Sequence, residues 1–417
     1  MKEEKHSGTF ARLGGDTETT LRRQLSLPLL VLYGVGITIG AGIYVLIGEV
    51  AGSAAVFAPW SFLLAAVVMI FTVASYAELS TRYPVSAGEA AYVDAAFRSR
   101  QLTTVVGLLT AAIGTISSAA VASGAAGYIR QFLDLPHELV VLAVLLVLGA
   151  VAARGILESV LLASLFTLIE VGGLLAIIVT ALYADAPFVA ALTKVPPFEY
   201  AALSGIAFGS LLAFFAFIGF EDLANIAEEA REPHRNLPRA MLITLAVSTA
   251  LYVTIAAVAV SAVSVERLAA SPAPLSLVFQ QLASVSPATI TIIAIAATLN
   301  TTLAQMTMAA RVLYGMARQG NLPRMFGRVS AGTRTPLIAT ATVTAVAVAL
   351  ALAFPLVRLA ESTSIATLIV FALVNAALLL IRYRRETSPN PHIRVPVWMP
   401  LVGFLTCLAL AGSALLK

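Results

Sequence analysis

Two apolar segments of this chain contain sequences that poorly suit an uninterrupted membrane helix: Gly34-Val35-Gly36-Ile37-Thr38-Ile39-Gly40-Ala41-Gly42-Ile43-Tyr44 in the first, and Phe214-Phe215-Ala216-Phe217-Ile218-Gly219-Phe220-Glu221-Asp222 in the sixth. In lipid, every backbone N–H and C=O must be paired, so irregular backbone at membrane depth survives only where protein buries it or it lines a cavity. Two breaks in matching positions of two halves predict a transporter with its site between them.

That reading requires a polytopic membrane protein, and the composition agrees. Of the 417 residues 59% are hydrophobic and 12% charged, against roughly 25% charged in an average soluble domain. Apolar windows of about 20 residues place eleven spans, near 27–47, 55–76, 103–127, 139–153, 159–182, 205–227, 240–263, 288–316, 337–354, 362–381 and 397–416. The predicted organisation is a polar N-terminal tail (1–26) without a cleavable signal, a first five-helix repeat (27–182), an extracellular connection (183–204), a second five-helix repeat (205–382), and a linker with an eleventh helix (383–417). An odd number of spans per half inverts the second half relative to the first, giving an all-α 5+5 inverted repeat with helices one and six broken. The segment Ser264 to Pro287, with Pro272 and Pro274, is too polar to span and is expected to form an outer loop over the site.

Lys and Arg set the orientation. With the N-terminus cytoplasmic, only Arg130, Lys194, Arg267, Arg358 and Lys417 of the 26 fall outside, leaving 21 inside. The C-terminus then lies outside, the expected location is the plasma membrane, and the net charge of +4 belongs to topology. No clustered basic face supports a nucleic-acid partner.

At the first break, Gly40-Ala41-Gly42 lets the backbone unwind and approach a ligand. The helix resuming near Ile43 turns free N–H groups and a positive dipole end to the cavity, which suits a carboxylate. The alternative is that Gly36 and Gly40 form a small-residue packing face. At the second, carbonyls freed around Ala216 to Gly219 can accept from an ammonium group, so one site would read both ends of an amino acid. Phe215 is the preferred aromatic gate among Phe214, Phe215 and Phe217, against the plainer reading of these rings as core or lipid-facing.

Enzyme chemistry finds no support. His6, His137, His234 and His392 fall in loops or tails, the one cysteine, Cys407, lies in an apolar run, and no HExxH, GxSxG or Walker pattern occurs. No metal site and no cofactor is expected. A non-transporting amino acid sensor with the same two breaks remains a separate reading.

The stretches Gly36 to Glu49, Phe215 to Glu221, Ala227 to Pro233 and Leu237-Pro238-Arg239-Ala240 resemble the amino acid, polyamine and organocation transporter superfamily. Tyr76-Ala77-Glu78-Leu79, Arg82-Tyr83-Pro84, Gly88-Glu89, Arg311 to Gly320 and Leu322-Pro323 extend the resemblance over most of the chain. Within the superfamily the chain looks like bacterial amino acid permeases and is similar to cationic amino acid transporters. The resemblance implies a LeuT-type fold, alternating access and an L-amino acid or related amine as substrate. The substrate would sit on Ile39, Gly40, Ala41, Gly42 and Ile43 of the first span and on Phe215, Ala216, Phe217, Ile218 and Gly219 of the sixth. The family usually has twelve spans, and the missing one lies outside the ten-helix core, where it bears on oligomerisation.

Coupling centres on Glu170, deep in the fifth span, where an ionisable group is costly and points to function. Several relatives carry a lysine at the matching position, so the charge here is reversed. Glu170 would either take up and release a proton or, with backbone oxygens of the first span and Asn300, Thr301 and Thr302 of the eighth, coordinate sodium. A purely structural hydrogen-bonding role is the alternative. Glu221, at the restart of the sixth helix, ranks below it as a linkage or gating acid. Glu78, Glu228 and Glu229 with Arg82, Arg231 and Arg311 are expected to form cytoplasmic ion pairs.

Overall fold

The computed structural model describes residues 25–84, 88–154, 160–283, 286–330, 332–386, 388 and 390–414. The expected N-terminal tail up to residue 24 and the chain end beyond 414 lie outside the described residues. Among those described the chain is helical, with one isolated bridge between Leu25 and Ala230.

In chain order the helices are α1 (Leu27–Ile39), α2 (Ala41–Ala54), α3 (Ala58–Arg82), α4 (Gly88–Phe97), α5 (Arg100–Ile129), α6 (His137–Arg154), α7 (Val160–Tyr183), α8 (Phe188–Thr193) and α9 (Tyr200–Phe217). They continue as α10 (Asp222–Asn225), α11 (Pro233–Ala262), α12 (Val265–Ala269), α13 (Pro274–Ala283), α14 (Ala288–Arg318), α15 (Leu337–Ala353), α16 (Leu356–Tyr383) and α17 (Trp398–Ser413). Eight helical segments are long and apolar enough to cross a membrane, while α1, α15 and α17 are shorter apolar helices. The first expected span is thus two helices, α1 and α2, and the sixth is α9 followed by the four-residue α10.

The most extensive packing runs between α5 and α14, α3 and α11, α16 and α17, and α2 and α9. Small residues allow it, because in lipid close backbone approach and dispersion replace the hydrophobic drive. A Cβ on Gly42 would lie 2.4 Å from the Ala216 Cα, and one on Gly209 2.6 Å from the Ser61 hydroxyl. Leu146, Val147, Leu165 and Leu168 on α6 and α7 are exposed, as an apolar face toward lipid requires.

Polar side chains fasten the bundle at depth. Asn375 of α16 accepts from Ser75 (2.6 Å) and donates to Thr72 (3.0 Å) on α3, and its amide lies over Gly403 of α17. Tyr128 donates to the Tyr44 carbonyl at 2.6 Å, tying α5 to α2. Buried Glu78 accepts from Arg82 (2.9 Å), from Arg382 and from the Val395 N–H (2.9 Å), pinning the segment before α17 to α3. Of the expected ion pairs, Glu78 with Arg82 is present, and Arg382 joins it. Helices α12 and α13, from the segment expected to form an outer loop, pack on α2, where a Cβ on Gly48 would meet the Leu268 carbonyl at 2.6 Å.

Candidate functional site

The helix breaks where the glycines allow. Helix α1 ends at Ile39, Gly40 turns the chain with φ −31° and ψ −134°, and α2 resumes at once at Ala41. Gly40 has no side chain to cap the new helix, whose first N–H groups have no partner within it. Thr301 supplies the cap from α14: its Oγ1 accepts from the Ala41 N–H at 3.1 Å. Space for that hydroxyl comes from Gly40, since a Cβ there would lie 2.2 Å from Thr301 Oγ1. Gly36 opens the same kind of space one turn earlier, for Thr167 of α7.

The second break is wider and follows Phe217. Ala216 and Phe217 are still helical, Ile218 is extended at ψ 132°, and Gly219 has φ +129°, a conformation that L side chains rarely adopt. A Cβ on Gly219 would also lie 2.6 Å from Ile37 of α1. Glu221 folds back, its Oε2 accepting the Gly219 N–H at 2.8 Å. The carboxylate therefore closes the break itself rather than capping the helix that follows.

The two breaks meet through a residue that the sequence pattern did not single out. The Tyr252 hydroxyl of α11 donates into the gap between two carbonyls, Thr38 of α1 at 2.6 Å and Ala216 of α9 at 2.8 Å. Its ring stands edge-on to Phe217, with centroids 5.0 Å apart. The only sequence signal was a tyrosine deep in an apolar span, which needs a partner for its O–H. One donor shared by one carbonyl of each broken helix fixes how far apart the breaks can lie.

The remaining expected site residues divide into groups. Ile39, Gly40, Ala41, Gly42 and Ile43 are buried together at the first break, and Phe215, Ala216, Phe217, Ile218 and Gly219 form the end of α9 and the opening beyond it. Glu170 is fully buried on α7; its backbone carbonyl accepts from Tyr44 at 2.6 Å, and its charge bears on the hydroxyls of both Tyr44 and Tyr252. That places Glu170 beside the first break. Thr301 reaches the break directly, whereas the fully buried Thr302 donates back to the Thr298 carbonyl at 2.7 Å. Asn300 is half-buried on the same helix. Among the described residues, no group of three His, Cys, Asp or Glu side chains is disposed to hold a metal ion.

Two interrupted helices, held face to face inside an apolar helical bundle, define a multi-pass membrane transporter rather than an enzyme. The sequence model of the family described as "Amino acid permease" matches residues 25–416, and the chain belongs to that family. It is similar to a branched-chain amino acid permease of Bacillus subtilis, at 29% identity over 94% of this chain and 88% of that one. It is also similar to a vacuolar cationic amino acid transporter 4 of Arabidopsis thaliana, at 31% identity over 87% of this chain and 64% of the longer relative. A methylthioribose transporter of Bacillus subtilis is 27% identical over 93% of this chain and 87% of its own length.

Proposed function

We propose that this chain is a secondary active transporter that carries an L-amino acid across the plasma membrane by alternating access, with proton coupling through Glu170. The observation that carries the proposal is the pairing of the breaks: α1 and α9 each present a carbonyl near their broken ends, Thr38 and Ala216, to one tyrosine hydroxyl. The first turn of α2 faces a substrate carboxylate with N–H groups, and the end of α9 faces the ammonium with carbonyls. In this reading the N-terminus is cytoplasmic, the C-terminus extracytoplasmic, and the two five-helix halves form an inverted repeat of LeuT type. Amino acid carriers among the relatives support the substrate class. The methylthioribose carrier makes a sulfur-containing sugar the first competitor to include.

Glu170 is the coupling group of choice because it is an acid buried in a span beside the first break. A sodium reading keeps one specific support, the Thr301 oxygen presented to the first break from α14. Thr302 supports it less, its hydroxyl being turned along its own helix.

Purified protein in sealed proteoliposomes separates these readings. Uptake of labelled amino acids is followed with an inward proton gradient, an inward sodium gradient, neither, or neither with amino acids loaded inside. Proton-driven accumulation is expected. Sodium-driven accumulation moves the coupling to the second reading, and uptake only against internal amino acid makes the chain an exchanger. Binding without flux in all four conditions makes it a sensor.

A further inference from the structure

A second group of ionisable side chains, away from Glu170, lies between α4 and the second break. Glu89, in the first turn of α4, is buried, and α4 is not one of the membrane-length helices. Tyr76 of α3 donates to Glu89 Oε1 at 2.9 Å. Asp222 opens α10, and its charge bears on Glu89, as does that of Glu89 on Glu221. Asp222 and Glu221 are half-buried, so the group borders solvent on one side. Backbone contact is close here too. Asn225 Nδ2 donates to Asp222 Oδ1 at 3.1 Å, while its Oδ1 lies where a Cβ on Gly88 would come within 2.4 Å. The start of α4 and the short α10 thus share one interface containing three carboxyl groups.

Tyr92 marks the same interface independently. It lies one turn beyond Glu89 on the same face of α4, is fully buried and within electrostatic reach of Glu89, and its hydroxyl has no hydrogen-bond partner among the described residues. A buried orphan hydroxyl of this kind calls for a missing partner, a proton or a water on the neighbouring carboxyl.

Among the described residues, no cation offsets the carboxyl groups. The charged groups of the elements around α4 are engaged elsewhere: Asp94 accepts from Thr103 of α5, Arg384 donates to the Ala96 carbonyl, Arg98 pairs with Glu386, and Arg82 and Arg382 are held by Glu78. Carboxylates sharing a poorly solvated site cannot all ionise, and at least one retains a proton into the neutral range. Burial, with the Asp222 charge adding to it, pushes the Glu89 carboxyl up to about 7, against the hydrogen bond from Tyr76 that favours the ionised form.

We propose that Glu89, with Glu221 and Asp222, forms a proton-operated latch that holds α4 against the second break when protonated and releases it when ionised. The proton passes between bulk water on the α4 face and a carboxylate oxygen, so no other reactant is involved. The latch goes beyond the proposed transport cycle and needs neither a proton as coupling ion nor an amino acid as substrate. Its sign follows from linkage. The acid is weaker in the latched state than when exposed, so latching is complete below the ordinary carboxyl range and is lost as pH rises through about 7. Between pH 6 and 8 the open-to-latched ratio should rise about tenfold.

Thiol labelling tests the latch without any flux measurement. The chain has one cysteine, Cys407, so a Cys407→Ser background makes a single probe possible. Leu223→Cys places that probe in α10, fully buried in the latched state, and Ala224→Cys, equally buried, is the second choice if the first fails to fold. Labelling rates with Glu89 and with Glu89→Gln are compared at the same pH, which cancels the intrinsic titration of the thiol. The ratio of the Glu89 labelling rate to the Glu89→Gln rate should rise about tenfold from pH 6 to pH 8, and Glu89→Asp should follow Glu89. Equal rates at pH 8, or a ratio that does not change between pH 6 and pH 8, overturn the latch. Because labelling is read on purified protein without substrate, its failure is distinct from a failure of transport.

Discussion

The two helix breaks achieve similar ends by opposite means. The first is a single residue, Gly40, with helix on both sides and its cap borrowed from Thr301 of a different helix. The second spans Ile218 to Glu221, includes a backbone conformation suited to glycine, closes on its own Glu221, and leads into only four residues of helix. The first break is braced by neutral hydroxyls from α7 and α14, and the second is bordered by carboxyl groups. A break held from outside moves only with its neighbours, whereas a break held by its own carboxylate can change with protonation. In the proposed transport cycle the first break would be the end against which substrate is oriented, and the second the end that can yield.

The largest expected effect tests whether the second break depends on its glycine. Gly219→Val combines a β-branched residue at φ +129° with a Cβ 2.6 Å from Ile37, and strain of this kind costs about 1–3 kcal/mol before the steric clash is counted. Uptake should fall at least 100-fold with the protein still inserted, measured as initial rate per reconstituted molecule. Activity within threefold of the wild type would show that the opening does not depend on this conformation.

Next in size is Glu170→Gln, which removes a titratable carboxyl beside the first break while keeping the side chain's shape. If Glu170 carries the proton, accumulation driven by an inward proton gradient should drop about tenfold or more, while gradient-free exchange persists. An unchanged response to the gradient would return Glu170 to a structural role and leave the first break without a titrating neighbour, sharpening the contrast between the breaks.

Tyr252→Phe tests the link between them. It keeps the ring against Phe217 and deletes the donor shared by the Thr38 and Ala216 carbonyls. Interhelical hydrogen bonds in membranes contribute about 0.6 kcal/mol on average and up to about 1.7, so a three- to tenfold loss of substrate affinity is expected. A loss confined to turnover, with affinity intact, would mean that the hydroxyl sets the rate of rearrangement and not the geometry of the site.

The breaks were legible in the sequence because clustered glycines weaken a helix from within, and an apolar run that only has to cross lipid gains nothing from them. Gly40 proved to be the turning residue. Yet the surrounding glycines answer partly to residues outside their own segments. Gly36 and Gly40 leave room for Thr167 and Thr301, and Gly42 lets α2 approach α9 at Ala216. The packing reading and the binding reading of this motif therefore describe the same residues. Tyr252 was not legible, since its role depends on where two other helices end and no spacing in α11 encodes that. Glu89 was visible only as part of a motif. Its proximity to Asp222 joins residues more than a hundred positions apart and needed the fold.

The smallest predicted effect probes the brace on the first break. Thr301→Val keeps the volume beside Gly40 and removes the oxygen that accepts the Ala41 N–H at 3.1 Å. Loss of a helix cap costs about 0.5–2 kcal/mol, so affinity or rate should fall by about three- to tenfold, toward the low end if water reaches the freed N–H. Thr301→Ser restores the oxygen and should restore activity to within twofold. The same pair of variants separates a cap from an ion ligand. A cap acts alike at every sodium concentration, whereas a sodium ligand would shift the sodium dependence of uptake in Thr301→Val and return it in Thr301→Ser. If the valine variant transports normally, the first break holds its shape through packing alone, and its brace is the glycine-to-hydroxyl fit rather than the hydrogen bond.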